Sequence, residues 1–234
     1  ISKTALFLAE IPSNAKRIFN NDNLLEDRFP SLDGFNGTPN SQESFLLLSR
    51  YDGDLNESVV ELVDLKSFDI LHTWNPDIDA FNDLVEQVDE FKYLKRDSNN
   101  NRSRLRHPKL LQDGHLLFQD DTPLRKIDDC SNLVFQNTHD IFHHSIETDI
   151  DGNIWVPSYI YPQSISKEKV VTDIIHDGGF YDDGIVKLSP NGEILFEKSV
   201  SQIFIDNGLQ YLLFAHGNDH ESDPIHLNDI QPVN

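Results

Sequence analysis

A repeat of glycine turns sets the tightest limit on how this chain folds. Asp113-Gly114, Asp151-Gly152 and Asn191-Gly192 place their glycines 38 and 40 residues apart (152 − 114 and 192 − 152). Asp-Gly and Asn-Gly pairs favour tight hairpins, because glycine takes the positive φ that such turns need without steric cost. Each pair lies between short strand-like runs: Leu110-Leu111 and 115–118, then 145–147 and 153–156, then 184–188 and 193–196. A period of about forty residues built on hairpins is the spacing of a four-stranded propeller blade. The reading is all-β, part of a β-propeller with a helical insertion.

An earlier unit fits the same scheme, with 45–49, 58–65 and 69–74 as inner, middle and outer strands. Between it and the next unit, Ile78, Phe81, Leu84, Val85 and Val88 recur at helical spacing ahead of a polar run at 97–101, so residues 77–106 read as a helical and loop insertion. Residues 1–40 form an N-terminal segment with a strand at 5–9 and then Pro-, Asn- and Asp-rich loop; residues 41–234 are a partial propeller. Only about three and a half blades can be counted, short of a closed ring, and a new strand is expected to begin at 229–234. The remaining blades are expected from further sequence or a second chain. The start at Ile1 lacks an initiator methionine and an intact signal peptide, which suggests removal of a preceding segment by processing or by choice of the expressed region.

Charge narrows the partners. Forty acidic residues against 19 basic ones give a net charge of −21, which argues against a nucleic-acid backbone or an anionic membrane surface. No apolar run approaches membrane-spanning length, so no membrane insertion is expected in this chain. Cys130 is the only cysteine, which removes a disulfide framework and a thiolate metal cluster; it reads as a bystander thiol.

Histidine carries the chemistry that remains. His143-His144 precede the Asp151-Gly152 hairpin, and His226-Leu227-Asn228 follow Asp223-Pro224. On a strand His143 and His144 would point to opposite faces, so only one can face the ring axis; His144, on the side of Ile146, is favoured. His226 and Asn228, two apart, would share a face and let the amide orient the imidazole or share its ligand. Each histidine also suits a plain hydrogen-bonded structural role. A metal could draw on His144, His176 and His226 with Asp173, Asp177 and Asp223, yet no His-x-x-x-His or comparable spacing is present, and no metal is expected. The run 149–153 opens like a calcium loop but lacks the distal glutamate, and hairpin geometry accounts for it. Nucleophile-elbow, P-loop and dinucleotide motifs are absent. The basic residues able to hold a sulfate or phosphate are few: Arg102, Arg104, Arg106 and His107, which read more readily as a solvated face, and Arg125 with Lys126.

Four passages together give the sequence a family resemblance: 60–65 running to Leu71-His72-Thr73-Trp74, Leu124 to Asp128, His143-His144 to Trp155-Val156, and His226-Leu227-Asn228. They resemble the arylsulfotransferases of the ASST type, over about Ser44 to Asn234. The resemblance implies an all-β propeller enzyme of about six blades in the complete protein, with this chain covering roughly the first half, that moves a sulfuryl group from a small-molecule aryl sulfate to a phenolic acceptor. It implies a transient sulfohistidine, other histidines and an arginine holding the sulfuryl oxygens, and no metal or diffusible cofactor. Carried over by motif, His144, His226 and Asn228 would be catalytic, the two imidazoles binding the sulfuryl group or relaying protons and the amide orienting them. His143 and Arg125 are the candidates for substrate contact. The family's nucleophilic histidine lies further along than the His-x-Asn motif, past the last residue of this sequence. A periplasmic or secreted location is implied as well. Two other readings stand beside this one: a non-catalytic binding or structural propeller, and a metal-dependent hydrolase or lyase using His144, His176 and His226.

Overall fold

A computed structural model of the chain describes residues 34–165, 180–214 and 223–233. Strands β1 (Phe45–Asp52), β2 (Glu57–Asp64) and β3 (Ile70–Trp74) form a three-stranded sheet in chain order. Strands β4 (Arg106–Leu110), β5 (Leu116–Gln119), β6 (Thr122–Ile127), β7 (Leu133–Phe142), β8 (Glu147–Thr148), β9 (Ile154–Tyr159), β10 (Asp183–Leu188) and β11 (Ile194–Ser199) form the second. Its order is β11-β10-β9-β7-β6-β5-β4, with β8 paired to β9. Every pairing is antiparallel, so the chain is all-β, in two open sheets. The larger sheet is two meanders, β4–β7 and β8–β11, joined between β7 and β9 only at Ile141↔Tyr159 and Phe142↔Ser158. The joint is where the functional residues gather.

The glycine repeat marks three equivalent hairpins. Gly114, Gly152 and Gly192 have φ of +84, +78 and +86, and each glycine N–H donates to the carbonyl three residues earlier. The residue pairs 111/115, 149/153 and 189/193 close these loops, so each is a three-residue connection with glycine in the left-handed position. In the second hairpin Asp149 Oδ1 accepts from the backbone N–H groups of Asp151 and Asn153, and Oδ2 lies 2.9 Å from Lys187 Nζ and 3.1 Å from Trp155 Nε1. A carboxylate so fully engaged by protein donors serves the turn, and the calcium-like run is hairpin chemistry.

Two cores separate the layers. Val60, Trp74, Ile78, Phe81, Leu105, Leu116, Phe118 and Ile127 pack the small sheet and the insertion against one face of β5 and β6. Leu117, Leu124, Phe142, Ile146, Ile154, Val156, Val186 and Leu188 pack the other face against the second meander. Leu116 and Phe118 point one way and Leu117 the other, as the two-residue strand period requires. Successive meanders therefore stack face to face, as neighbouring propeller blades do.

Several expectations change. The insertion is less helical than its apolar spacing suggests: α1 (Ile78–Asp83), capped by Asp77 Oδ1 on Ala80 N at 3.0 Å, ends in a tightened last turn. Ile78, Phe81 and Val85 are buried, whereas Leu84 is 70% exposed. A 3-10 turn (Asp89–Phe91) and α2 (Leu94–Asp97) follow, and β4 already begins at Arg106. Strands β6 and β7 stand where no strand is expected. Helix α3 (Val200–Asp206), capped by Ser199 through Gln202 N, and a 3-10 turn (Gln210–Phe214) follow β11. Residues 223–233 form no strand; the segment instead crosses back to the loop after β7, where Ser145 N donates to Asn228 O at 3.2 Å. The proposed strand at 5–9, and Asp173, His176 and Asp177, lie outside the described residues. Among the described residues, no helix is long and apolar enough to cross a membrane.

Candidate functional site

The ends of β7, β9 and β10 converge because Tyr159 pairs with Ile141 on one side and Asp183 on the other. That register sets the floor of the site. His143, the first residue past β7, is 1% exposed and stacks on Tyr159 with ring centroids 4.0 Å apart and planes at 20°. Its Nε2 lies 3.1 Å from Oδ1 of the fully buried Asp183, whose Oδ2 accepts from Leu227 N at 3.2 Å. Neither His143 Nε2 nor Asp183 Oδ1 has a hydrogen-bond partner; their 3.1 Å contact is at ion-pair distance but too misaligned for a hydrogen bond.

His144 does not continue the strand. Its φ is +57, and its carbonyl accepts from the Gln119 side-chain amide. The left-handed residue breaks the alternation expected for a strand, so the two rings meet instead of pointing to opposite faces. Their Nδ1 atoms are 2.7 Å apart and the rings are nearly perpendicular, at 85°. His144 is half-buried above His143, and its pKa is pushed below the ordinary imidazole value, first by desolvation and then by His143, with His226 and His107 adding to it and Asp121 opposing.

The segment after Asp223 brings the third imidazole. Asp223 Oδ1 accepts from His226 N at 3.0 Å, and Oδ2 lies 2.6 Å from His226 Nδ1. The backbone of His226 is left-handed too, with φ of +52, and its ring centroid stands 5.7 Å from that of His144. No strand places His226 and Asn228 on one face. Asn228 instead donates its amide to the His226 carbonyl at 3.0 Å, fixing the backbone that carries the imidazole.

His107 is the member that sequence reasoning misses. It sits in the irregular stretch of β4 between Arg106 and Lys109, with φ of +46 and its ring 6.2 Å from His144. A residue before proline is biased toward extended backbone, so nothing local announces this conformation. His107, His144, His226 and Asp121 are four of the seven described non-glycine residues with positive φ. Such backbone costs on the order of 1–3 kcal/mol per residue and gathers where side chains must be aimed.

The other candidates divide. The expected solvated face is pinned: Arg104 Nε and Arg106 Nε lie 3.6 and 3.1 Å from the two oxygens of buried Asp120. Arg125, a candidate for substrate contact, is fully buried in β6, where Nη2 donates to Asn82 Oδ1 at 2.7 Å and Nε to Gln136 Oε1 at 3.3 Å. Burial pushes its pKa down to about 10, and its bonds run to the insertion and to β7, none to the imidazoles. His143 likewise offers almost no surface to a ligand. The imidazole cluster is not among the described side-chain groups close enough to hold a metal; those are Asp128/Asp129/Cys130 and His139/Asp140/Glu197. Cys130 is exposed, and Asp129 and Asp128 push its thiol up, away from a reactive thiolate.

The result is a solvent-facing imidazole group on a buried Asp183–His143 base, drawn from three distant segments. Beside it, half-exposed Tyr181 lies 4.5 Å from Tyr159, forming an aromatic margin. Neutral imidazoles accept protons, charged ones donate to anions, and an aromatic face beside them suits an aryl group. Among known proteins, the arylsulfotransferase (ASST) family model matches residues 107–234, a span that starts at His107 and includes His143, His144, His226 and Asn228. No curated protein matches this sequence. With more than half of its 234 residues matched, the chain belongs to the arylsulfotransferase (ASST) family and is sulfotransferase-like in function.

Proposed function

We propose that the imidazole cluster is the place where a sulfuryl group passes from an aryl sulfate to a phenolic acceptor. The observation that carries this reading is the gathering of His107 and His226 within 6.2 and 5.7 Å of the His144 ring, all three on left-handed backbone. In the transfer the S–O bond to the donor aryl group breaks and the phenolate leaves with the electron pair. The acceptor oxygen forms the new bond to sulfur, directly or after a histidine has carried the group, and its proton moves to an imidazole. His226, aimed by Asp223 and Asn228, is suited in its charged form to hold the sulfuryl oxygens, and His107 faces the same space. Tyr181 is placed to pack against an aryl ring. The reading uses no metal and no diffusible cofactor.

The test supplies p-nitrophenyl sulfate with and without a phenol, following nitrophenol release and the sulfated phenol by mass spectrometry. Acceptor-dependent release is expected, falling about 10²-fold or more in His226→Ala, the loss typical of a group that stabilises transition-state charge. Acceptor-dependent transfer unaffected by His226→Ala would overturn the assignment.

A further inference from the structure

The family resemblance leaves two roles open for His144, sulfuryl binding or proton relay, and the groups beneath it separate them. We propose that Asp183, acting through His143, fixes the tautomer of His144 so that its Nε2 faces the site without a proton and accepts the proton of the incoming phenol. The inference rests on the transfer reading above and deepens it.

Asp183 Oδ1 is buried, and His143 Nε2 at 3.1 Å is the one polar atom that meets it. A bare Nε2 would leave both buried atoms unsatisfied, whereas a proton there lets a small rotation of the ring close a hydrogen bond to Oδ1. The single proton of neutral His143 therefore sits on Nε2, and His143 Nδ1 becomes an acceptor. The 2.7 Å contact between the two Nδ1 atoms needs one proton, which must then come from His144 Nδ1. Neutral His144 has no second proton, so its Nε2 is bare.

Atoms balance in one step. The phenol O–H bond breaks, its proton goes to His144 Nε2, and the oxygen's electron pair forms the bond to sulfur as the leaving group departs with its own pair. The imidazolium so formed keeps its Nδ1–H on His143, and the chain ends on the Asp183 carboxylate, which steadies the charge. Proton return to the leaving group resets the ring. A bare Nε2 cannot donate to a sulfuryl oxygen, so oxygen binding falls to His226 and His107. Asp183 and His143 are positioning residues here, since neither touches substrate.

Long-range 1H–15N NMR at pH 8 on the wild-type protein decides the matter without any variant. The expected spectrum has His144 protonated at Nδ1 and bare at Nε2, and His143 protonated at Nε2. A proton on His144 Nε2, which is also what a doubly protonated His143 would enforce, overturns the proposal. Asp183→Asn, whose amide can turn its NH2 toward His143, is expected to flip both tautomers and to lower kcat by about 10²-fold or more with KM little changed. Unchanged tautomers in that variant would overturn the relay. The expected tautomers in an enzyme whose His144→Ala variant transfers at the wild-type rate would support the tautomer chain and overturn sulfuryl transfer at this cluster.

Discussion

The surroundings of His144 lower its pKa, and that fixes the sign of a pH prediction for the proposed base. Desolvation and three neighbouring imidazoles lower its pKa, so the deprotonated, proton-accepting form persists below the ordinary imidazole value of about 6.5. The acid limb of kcat/KM is expected to lie below pH 6.5, with activity rising through it toward neutrality; a limb above that value would contradict the neutral-base role. At this scale the sequence was informative by residue type and misleading by geometry. His143, His144, His226 and Asn228 stand out as motifs, yet three of the clustered imidazoles sit on left-handed backbone that strand reasoning does not anticipate. His107 was hidden among arginines whose partner, Asp120, comes from the end of another strand. Arg125 looked like an anion ligand because a lone arginine carries no sign of being in a fully buried central strand.

Hairpins were the legible elements, because Asp-Gly and Asn-Gly state their backbone conformation locally. Their cost on substitution should differ by packing. A Cβ on Gly114 meets nothing within 4 Å, whereas one on Gly192 would come within 2.7 Å of the Phe135 ring on β7. Both glycines have positive φ, so Gly114→Ala is expected to cost about 1 kcal/mol and Gly192→Ala roughly 2–4 kcal/mol in chemical unfolding. Equal losses would contradict the inter-meander contact, which Asn137 reinforces by donating to Gly192 O at 2.8 Å. Strands β6 and β7 were not legible. All six residues of β6, Thr122 to Ile127, are buried between β5 and β7, so its two faces lack the polar and apolar alternation that announces a strand. The joint between the meanders also holds Asp140, whose pKa is raised to about 6 by burial, with Glu197 adding and the Ser158 hydrogen bond and His139 opposing. The folded state there binds more protons than the unfolded one, so this group's stabilising contribution is present below about pH 4 and is lost as pH rises through about 6. Relative to wild type, Asp140→Asn is expected to gain stability between pH 4.5 and 7, by up to about 3 kcal/mol at 1.4 kcal/mol per pKa unit. A pH-independent difference in melting temperature would contradict this.

Across the whole molecule, two stacked meanders and a separate three-stranded sheet leave the imidazole cluster as a local departure in a chain of net charge −21. An anionic donor must approach against that field. Raising ionic strength from about 1 mM to 150 mM shortens the screening length from about 100 Å to 8 Å and is expected to lower KM for an aryl sulfate several-fold with kcat unchanged. A KM that rises with salt would mean that the local imidazoles, not the acidic surface, govern encounter. The layered all-β architecture was readable from the period of the glycine turns. The site was not, since it depends on the strand register at Tyr159 and on a return of residues 223–233 that pairs with no strand. The most direct test of the account compares initial rates of acceptor-dependent sulfuryl transfer from p-nitrophenyl sulfate in the wild-type protein and in His144→Gln. An amide should preserve the packing without accepting the phenol proton, so the account predicts a loss of 10²-fold or more in kcat, on the order of general-base catalysis; transfer at the wild-type rate would contradict it.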